Sequence, residues 1–484
     1  MGLPAVLELV FTAVFALIYT AGKGSELIVI FAYFASVVSC ASTFNPALPL
    51  GAFLAGFVPG NGGGGAFALT SVVVPIIGGA VAGLVADMIR GDTSEAVGAF
   101  VLFLTLGSNA TDSALGALTL GSMLATLGAV FNGSYFNPAI TLASGGFSSS
   151  NIRVMLFQLA GAAAGALLAN AAGVAAGAAV SDGLGGFKPA AAEVLLVALL
   201  AKMYGVSSIE NGLSYAALLT VFGGAAGSVA NPAITLGGWL GNGLLGGGFS
   251  FEVPALLGLL SHAAAPLAGT MASPHLFALV SSTAPLDGIR LSTKECFASF
   301  VLVTSIAGIQ ASATLSSDLS LALTLLAIFN IYRQADTDVF PAISAFRAFG
   351  KGADVAGFAR NATSQVLGAV LAGLLATWLF GSSGGTAAAS VGDSLYNGVL
   401  FGLFLAWAYE YMAHDNVGFA LAVFAAASVF NFYDGAAALG IGLVDALLGG
   451  GGFGFLSDVA WLTALAAPLV GGVLAGRLLA LLGK

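Results

Sequence analysis

The sequence predicts an all-α integral membrane protein of about fifteen transmembrane helices plus five re-entrant half-helices, built from inverted repeats. Three observations support that prediction. Hydrophobic residues make up 58% of the 484 residues and charged residues only 7%, with a mean hydropathy of +1.01; a soluble domain is about a quarter charged. A short element recurs as Phe44-Asn45-Pro46-Ala47, Phe136-Asn137-Pro138-Ala139, Ala230-Asn231-Pro232-Ala233 and Phe340-Pro341-Ala342. An acidic residue opens each repeat: Glu8, Glu95, Glu193, Glu295 and Asp393.

Each element follows a long apolar stretch and opens a short one. Asparagine caps the first turn of a helix, and proline is pre-shaped for its first position. A helix starting this way inside a membrane aims its positive end and free N–H groups at the bilayer centre. Asn45 and Asn137 are 92 residues apart, Asn137 and Asn231 are 94 apart, and Phe340 follows Asn231 by 109. A fifth, worn copy is read at Asn431-Phe432-Tyr433, 91 residues beyond Phe340. Even self-similarity of this kind means tandem units.

A spanning helix needs about 20 mostly apolar residues. In half repeat one (1–92), Leu7–Thr20 and Leu27–Ser42 precede the element and Thr70–Ile89 follows it. Half repeat two (93–188) uses Glu95–Leu106, Leu115–Phe131 and Met155–Val180. Half repeat three (189–291) uses Glu193–Tyr204, Tyr215–Val229 and Val253–Met271. Half repeat four (292–391) uses Glu295–Ile309, Leu319–Ile331 and Ser364–Phe380. Half repeat five (392–484) uses Leu395–Tyr411, Phe419–Val429 and Val459–Leu482. The openers precede the matching Asn or Phe by 37, 42, 38, 45 and 38 residues. The closing spans share Gln158-Leu159-Ala160-Gly161 and Gln365-Val366-Leu367-Gly368.

Charge agrees with this count. Three spans per unit make successive units alternate in orientation, and every one of the 13 basic residues except Lys188 then falls on one side. That is the positive-inside rule. It places the N-terminus outside or in a lumen, and the C-terminus on the cytosolic, stromal or matrix side. No cleavable targeting segment is read at the start, because residues 5–20 carry Glu8 and no basic stretch precedes them.

The remaining features argue against other classes. A net charge of −9 over 484 residues does not suit a nucleic-acid partner. Cys40 and Cys296 give no metal or disulfide spacing. His262, His275 and His414 lie far apart and read as loop or helix-end residues. The glycine tracts at Gly60–Gly65, Gly241–Gly248 and Gly449–Gly452 lack the Gly-Lys-Ser/Thr of a phosphate loop and read as turns. Gly161, Gly165, Gly173 and Gly177 recur at fourfold spacing, which lets helix backbones approach closely. No catalytic constellation or cofactor fingerprint stands out, so neither an enzyme nor a cofactor is expected.

Three spans plus an Asn-Pro-Ala half-helix, repeated in inverted orientation, resemble half of an aquaporin of the major intrinsic protein family. The resemblance rests on 136–142 (Phe-Asn-Pro-Ala-Ile-Thr-Leu) and 230–236 (Ala-Asn-Pro-Ala-Ile-Thr-Leu). The openings at 95–100 and 294–300 add to it. It implies two half-helices meeting at the midplane, with two asparagines donating to permeating water and opposed dipoles resisting ions. Half repeats two and three have the family's order and orientation, which implies that Asn137, Pro138, Ala139, Asn231, Pro232 and Ala233 form the pore pair. The further copies are Asn45, Pro46, Ala47 and Phe340, Pro341, Ala342. Intramembrane carboxylates can relay protons; the resemblance implies instead that Glu8, Glu95, Glu193 and Glu295 support the re-entrant loops.

The chain also departs from the family. The position after the second motif, usually arginine, is Ile234, and Ile140 stands in the matching place of the first. Arg347 lies five residues beyond Ala342 and reads as a loop anchor. Phe340 replaces an asparagine, and Phe432-Tyr433 replaces Pro-Ala, so that pair reads as closed. Two functions follow: a channel for small uncharged solutes or water, or a non-conducting aquaporin-derived subunit of a larger membrane protein complex. The partners expected are lipid and, for a channel, the solute.

Overall fold

Leucine, alanine and valine dominate the long stretches, and helix is the backbone form that satisfies its own N–H and C=O groups in lipid. The computed structural model describes residues 3–21, 26–40, 70–85, 88–107, 114–132, 134–171, 187–203, 207–227, 229–245, 248–249, 251, 253–281, 283–286, 289–312, 324–328, 337–350, 354–381, 391–412, 415–430, 434–448 and 459–482. They are overwhelmingly helical. Among the described residues, three helices are long and apolar enough to cross a membrane, over 149–171, 255–278 and 355–380.

The chain forms two units. The first contains residues 1–216 and 226–271, the second 217–225 and 272–484. The first holds α1 (Leu3–Ala21), α2 (Glu26–Cys40), α3 (Thr70–Val85), α4 (Asp92–Gly107), α5 (Ala114–Val130), α6 (Pro138–Gly145), α7 (Ser149–Ala171) and α8 (Phe187–Lys202). It also holds most of α9 (Ser208–Ala226) and of α11 (Val253–Ser281), with α10 (Pro232–Leu245) between them. α1 packs on α3, α2 on α5, α4 on α7, and α7 on α10.

Small residues set these distances. Gly161 faces the Ala96 carbonyl and Gly165 the Phe100 carbonyl, so α7 lies against α4 with no space for a Cβ. Gly173 and Gly177 lie outside the described residues. Gly237 and Gly241 meet Ala162 and Ala166 of α7 in the same way. This corrects the reading of Gly241–Gly248 as a turn: α10 runs on to Leu245, because Gly241 is a packing position. The other two tracts fall on residues not described.

The second unit contains a hairpin of β1 (Thr283–Leu286) and β2 (Ile289–Ser292), then α12 (Thr293–Ser312), α13 (Pro341–Ala345) and a π-helical turn (Phe346–Gly350). It continues through α14 (Val355–Phe380), α15 (Val391–Met412), α16 (Asn416–Phe430), α17 (Gly435–Leu448) and α18 (Val459–Leu481). Residues 324–328 are also helical. The hairpin departs from the all-helix expectation. Its strands pair antiparallel from Thr283–Ser292 to Leu286–Ile289, with Asp287-Gly288, a hairpin-favouring dipeptide, between them in sequence. α12 packs on α14, α14 on α17, and α15 on α18.

Several helices begin before the apolar run that predicts them. α7 starts at Ser149 rather than Met155, and α14 at Val355 rather than Ser364. Polar first turns explain both. Ser148 Oγ accepts from the Asn151 amide at 3.2 Å, and Asp354 Oδ1 from the Gly357 amide at 2.8 Å. Such caps need no hydrophobicity. Leu156, Leu371 and Leu474 are exposed on the outer faces of their helices.

Candidate functional site

α6 is an eight-residue helix that begins at a buried asparagine. Asn137 is its N-cap, in extended backbone, with Pro138 at the first helical position. Its Oδ1 accepts from the Ala139 amide at 2.9 Å, and its carbonyl accepts from the Thr141 amide at 2.9 Å and the Thr141 hydroxyl at 3.1 Å. Asn231 caps α10 in the same manner, with Oδ1 accepting from Ala233 N at 3.1 Å. In both cases the cap uses the amide oxygen and leaves the NH₂ group directed forward.

Those two NH₂ groups cross. Asn137 Nδ2 donates to the Ala230 carbonyl at 3.1 Å, and Asn231 Nδ2 donates to the Phe136 carbonyl at 2.9 Å. The accepting residues are unusual. Phe136 (φ 57°) and Ala230 (φ 52°) lie in the left-handed region, where among the described residues only Val339 joins them as a non-glycine. Each such residue costs about 1–3 kcal/mol. The conformation turns each carbonyl away from its own helix towards the opposite asparagine. An NH₂ group has two donors, so each crossed bond leaves one N–H.

The loop before α6 is anchored from behind. Glu95 Oε1 accepts from Tyr135 N at 2.8 Å; its Oε2 accepts from Phe136 N at 2.7 Å and from Gln158 Nε2 at 2.8 Å. Gln158 Nε2 also reaches Thr141 Oγ1 at 2.8 Å. One buried carboxylate therefore serves two loop amides and ties the loop to α7. Thr270 adds a bond from its hydroxyl to the Ala139 carbonyl at 2.8 Å.

In the second unit the same frame recurs with different residues at the tip. Glu295 accepts from Asp338 N at 2.6 Å, Val339 N at 3.0 Å and Gln365 Nε2 at 2.8 Å. Gln365 reaches Ser344, four residues after Phe340, as Thr141 is four after Asn137. Phe340 caps α13 without any side-chain hydrogen bond and is buried, as are Pro341 and Ala342. Arg347, in the π-helical turn, donates to Asp338 Oδ1 at 2.7 Å, while Asp338 Oδ2 accepts from Ser344 and Asn361.

Two placements correct the sequence reading. His262 is not a loop or helix-end residue. It lies within α11, 1% exposed, with Nδ1 3.0 Å from Oε2 of the fully buried Glu193. It stands against Glu193 where glutamine stands against Glu95 and Glu295. The spacing from acidic opener to partner, 63, 69 and 70 residues, holds the signal that would have found it. Helix α17 opens after Asp434, and Asn431-Phe432-Tyr433, read as the fifth copy, are outside the described residues. Asp434 Oδ1 accepts from Ala436 N at 2.9 Å and Ala437 N at 3.2 Å. Asp434 follows Phe340 by 94 residues, the spacing between Asn137 and Asn231.

The other candidates fall as follows. Asn45, Pro46, Ala47 and His414 lie outside the described residues. Glu8 is half-buried in α1, and His275 is exposed in α11. Asp393 belongs to α15. Cys296 is a free, half-buried thiol in α12. Among the described residues, no group of three His, Cys, Asp or Glu side chains could hold a metal ion.

Two spaces of very different size adjoin Asn231. The larger is a cavity of about 360 Å³, where Asn132, Ser134, Ser208 and Asn211 supply polar groups beside Asn137 and Asn231, and Ile140 lines one wall. The smaller is a space of about 10 Å³ lined by Leu106, Leu120, Val229 and Ile234. Leu102, Tyr215 and Asn231 border both. Tyr215 is held by a 2.6 Å bond from its hydroxyl to the Val229 carbonyl. The smaller space is at the limit for one water molecule, about 10–15 Å³. No protein-family model, curated protein or solved structure matches the chain.

Proposed function

We propose that half repeats two and three form an aquaporin-like conduit for water or another small uncharged solute. The reading takes the chain as about fifteen spans and five re-entrant half-helices with its N-terminus outside. The observation that supports it is the crossed pair Asn137 and Asn231, whose remaining N–H groups border a polar cavity at the N-termini of two half-helices. A permeating molecule would exchange hydrogen bonds with those groups, while the two positive helix ends repel cations. Beyond them it meets Leu106, Leu120 and Ile234, an apolar passage with no fixed charge. Selection there rests on size and dewetting rather than on a guanidinium.

Liposomes containing the purified protein should shrink faster than empty liposomes under an osmotic step, with water or glycerol as the test solute. Replacing Asn137 and Asn231 together by Leu should return the rate to that of empty lipid. Equal rates for wild-type protein, variant and empty lipid would remove the channel reading.

A second reading, a non-conducting aquaporin-derived subunit that braces a larger membrane assembly, draws on the small apolar space beside Ile234 and on the buried Phe340. It predicts no flux through wild-type protein, together with co-purification of partner subunits after mild solubilisation.

A further inference from the structure

Asp434 is a buried carboxyl group, 7% exposed, at the start of the fourteen-residue helix α17. Its two oxygens have different surroundings. Oδ1 accepts two backbone amides of the first turn, whereas Oδ2 is buried with no hydrogen-bond partner. Among the described residues, burial and those two amides are what act on it. An unpaired carboxylate in such a place carries a heavy desolvation cost.

Internal correspondence indicates what Oδ2 meets. Gly237, six residues after Asn231, packs on Ala162, four residues after Gln158. Gly440, six residues after Asp434, packs on Ala369, four residues after Gln365. Helix α17 therefore lies on α14 in the register that α10 takes on α7, and Asp434 has the place of Asn231. The acceptor for Asn231 is the carbonyl of Phe136, the left-handed residue whose amide is held by Glu95. Its counterpart is Val339, left-handed at φ 61°, with its amide held by Glu295.

We infer that Asp434 is a proton-binding site, with the proton on Oδ2 donated to the main-chain carbonyl of Val339. Aspartate and asparagine have the same shape, but the NH₂ donor of asparagine becomes an oxygen. Two oxygens facing each other hydrogen-bond only if one carries a proton. A neutral acid keeps Oδ1 as the helix cap, satisfies Oδ2, and adds no buried charge. The junction of the second unit is then closed by a proton taken from water, where the first is closed by an amide. This inference is independent of whether the first unit conducts.

Infrared difference spectroscopy on the full-length protein in lipid vesicles at neutral pH tests it. The wild-type spectrum should contain a protonated-carboxyl stretch that shifts in heavy water and is absent from Asp434→Asn. Labelling aspartate with heavy carbon at the carboxyl should shift the same band, which keeps the test open if the variant does not accumulate. Asp434→Asn should melt at or above the wild-type temperature, and Asp434→Ala below both. A spectrum with no aspartate band in the protonated region would overturn the inference. So would sodium or potassium raising the melting temperature of wild-type protein but not of Asp434→Asn, which would make the site an ionised cation ligand.

Discussion

Behind the cap at Asn137, Glu95 accepts from the two preceding loop amides and from Gln158; behind Phe340, Glu295 accepts from the matching amides and from Gln365. In front, the chemistry diverges. The first unit presents two asparagine amides to each other's loop carbonyls, while the second presents a phenyl ring and a carboxyl group at its caps. A frame that holds the loop by its own backbone amides is indifferent to the side chain at the tip. Asparagine can therefore give way to phenylalanine without loss of the short helix, and tip chemistry can change while the frame stays.

The comparison is broken most severely at the frame. Glu95→Ala removes the acceptor of the Tyr135 and Phe136 amides and one of the two acceptors of the Gln158 NH₂ group, so it should cost about 3–5 kcal/mol. Glu295→Ala should cost a similar amount, since it removes the acceptor of the Asp338 and Val339 amides and one of the two acceptors of Gln365. Denaturant unfolding of both variants in mild detergent checks this. A large loss for one and none for the other would show that the two frames are not equivalent.

A smaller effect is expected where the frame itself differs. His262→Gln should stabilise the first unit by about 1 kcal/mol. Glutamine can donate to Glu193 and also to Thr235 Oγ1, which is buried without a hydrogen-bond partner, as Gln158 donates to Glu95 and Thr141. The melting temperature of His262→Gln reads this directly, and a lower value would mean that histidine is preferred there. The smallest effect belongs to the exposed Arg153–Asp92 pair, 2.7 Å apart with Arg153 66% exposed. Arg153→Ala should change stability by less than about 1 kcal/mol, and salt should erase even that. Melting curves at low and high salt measure it.

The helix starts were legible because capping acts within one turn. Asn137 with Pro138 and Asn231 with Pro232 satisfy their own first turns, so the motif alone marks where α6 and α10 begin. Composition alone marks the apolar helices, since a chain that is 7% charged leaves little polar surface for water. The openers Glu95 and Glu295 were visible as a repeating spacing.

Other features depended on packing. Asn431 looked like the fifth cap because it matched the motif's letters, yet the carboxyl that binds the first turn of α17 is Asp434, three residues on. His262 had no local pattern; only the packing of α11 brings it to Glu193, 69 residues earlier. The crossed bonds join residues 93 and 95 positions apart, and they need Phe136 and Ala230 in a backbone conformation that neither residue prefers. Local interactions are encoded in neighbouring residues and can be read in order. Pairing across the unit depends on where glycines such as Gly161 and Gly237 let helices close up, so only the tertiary structure decides which caps face each other and which spaces remain between them.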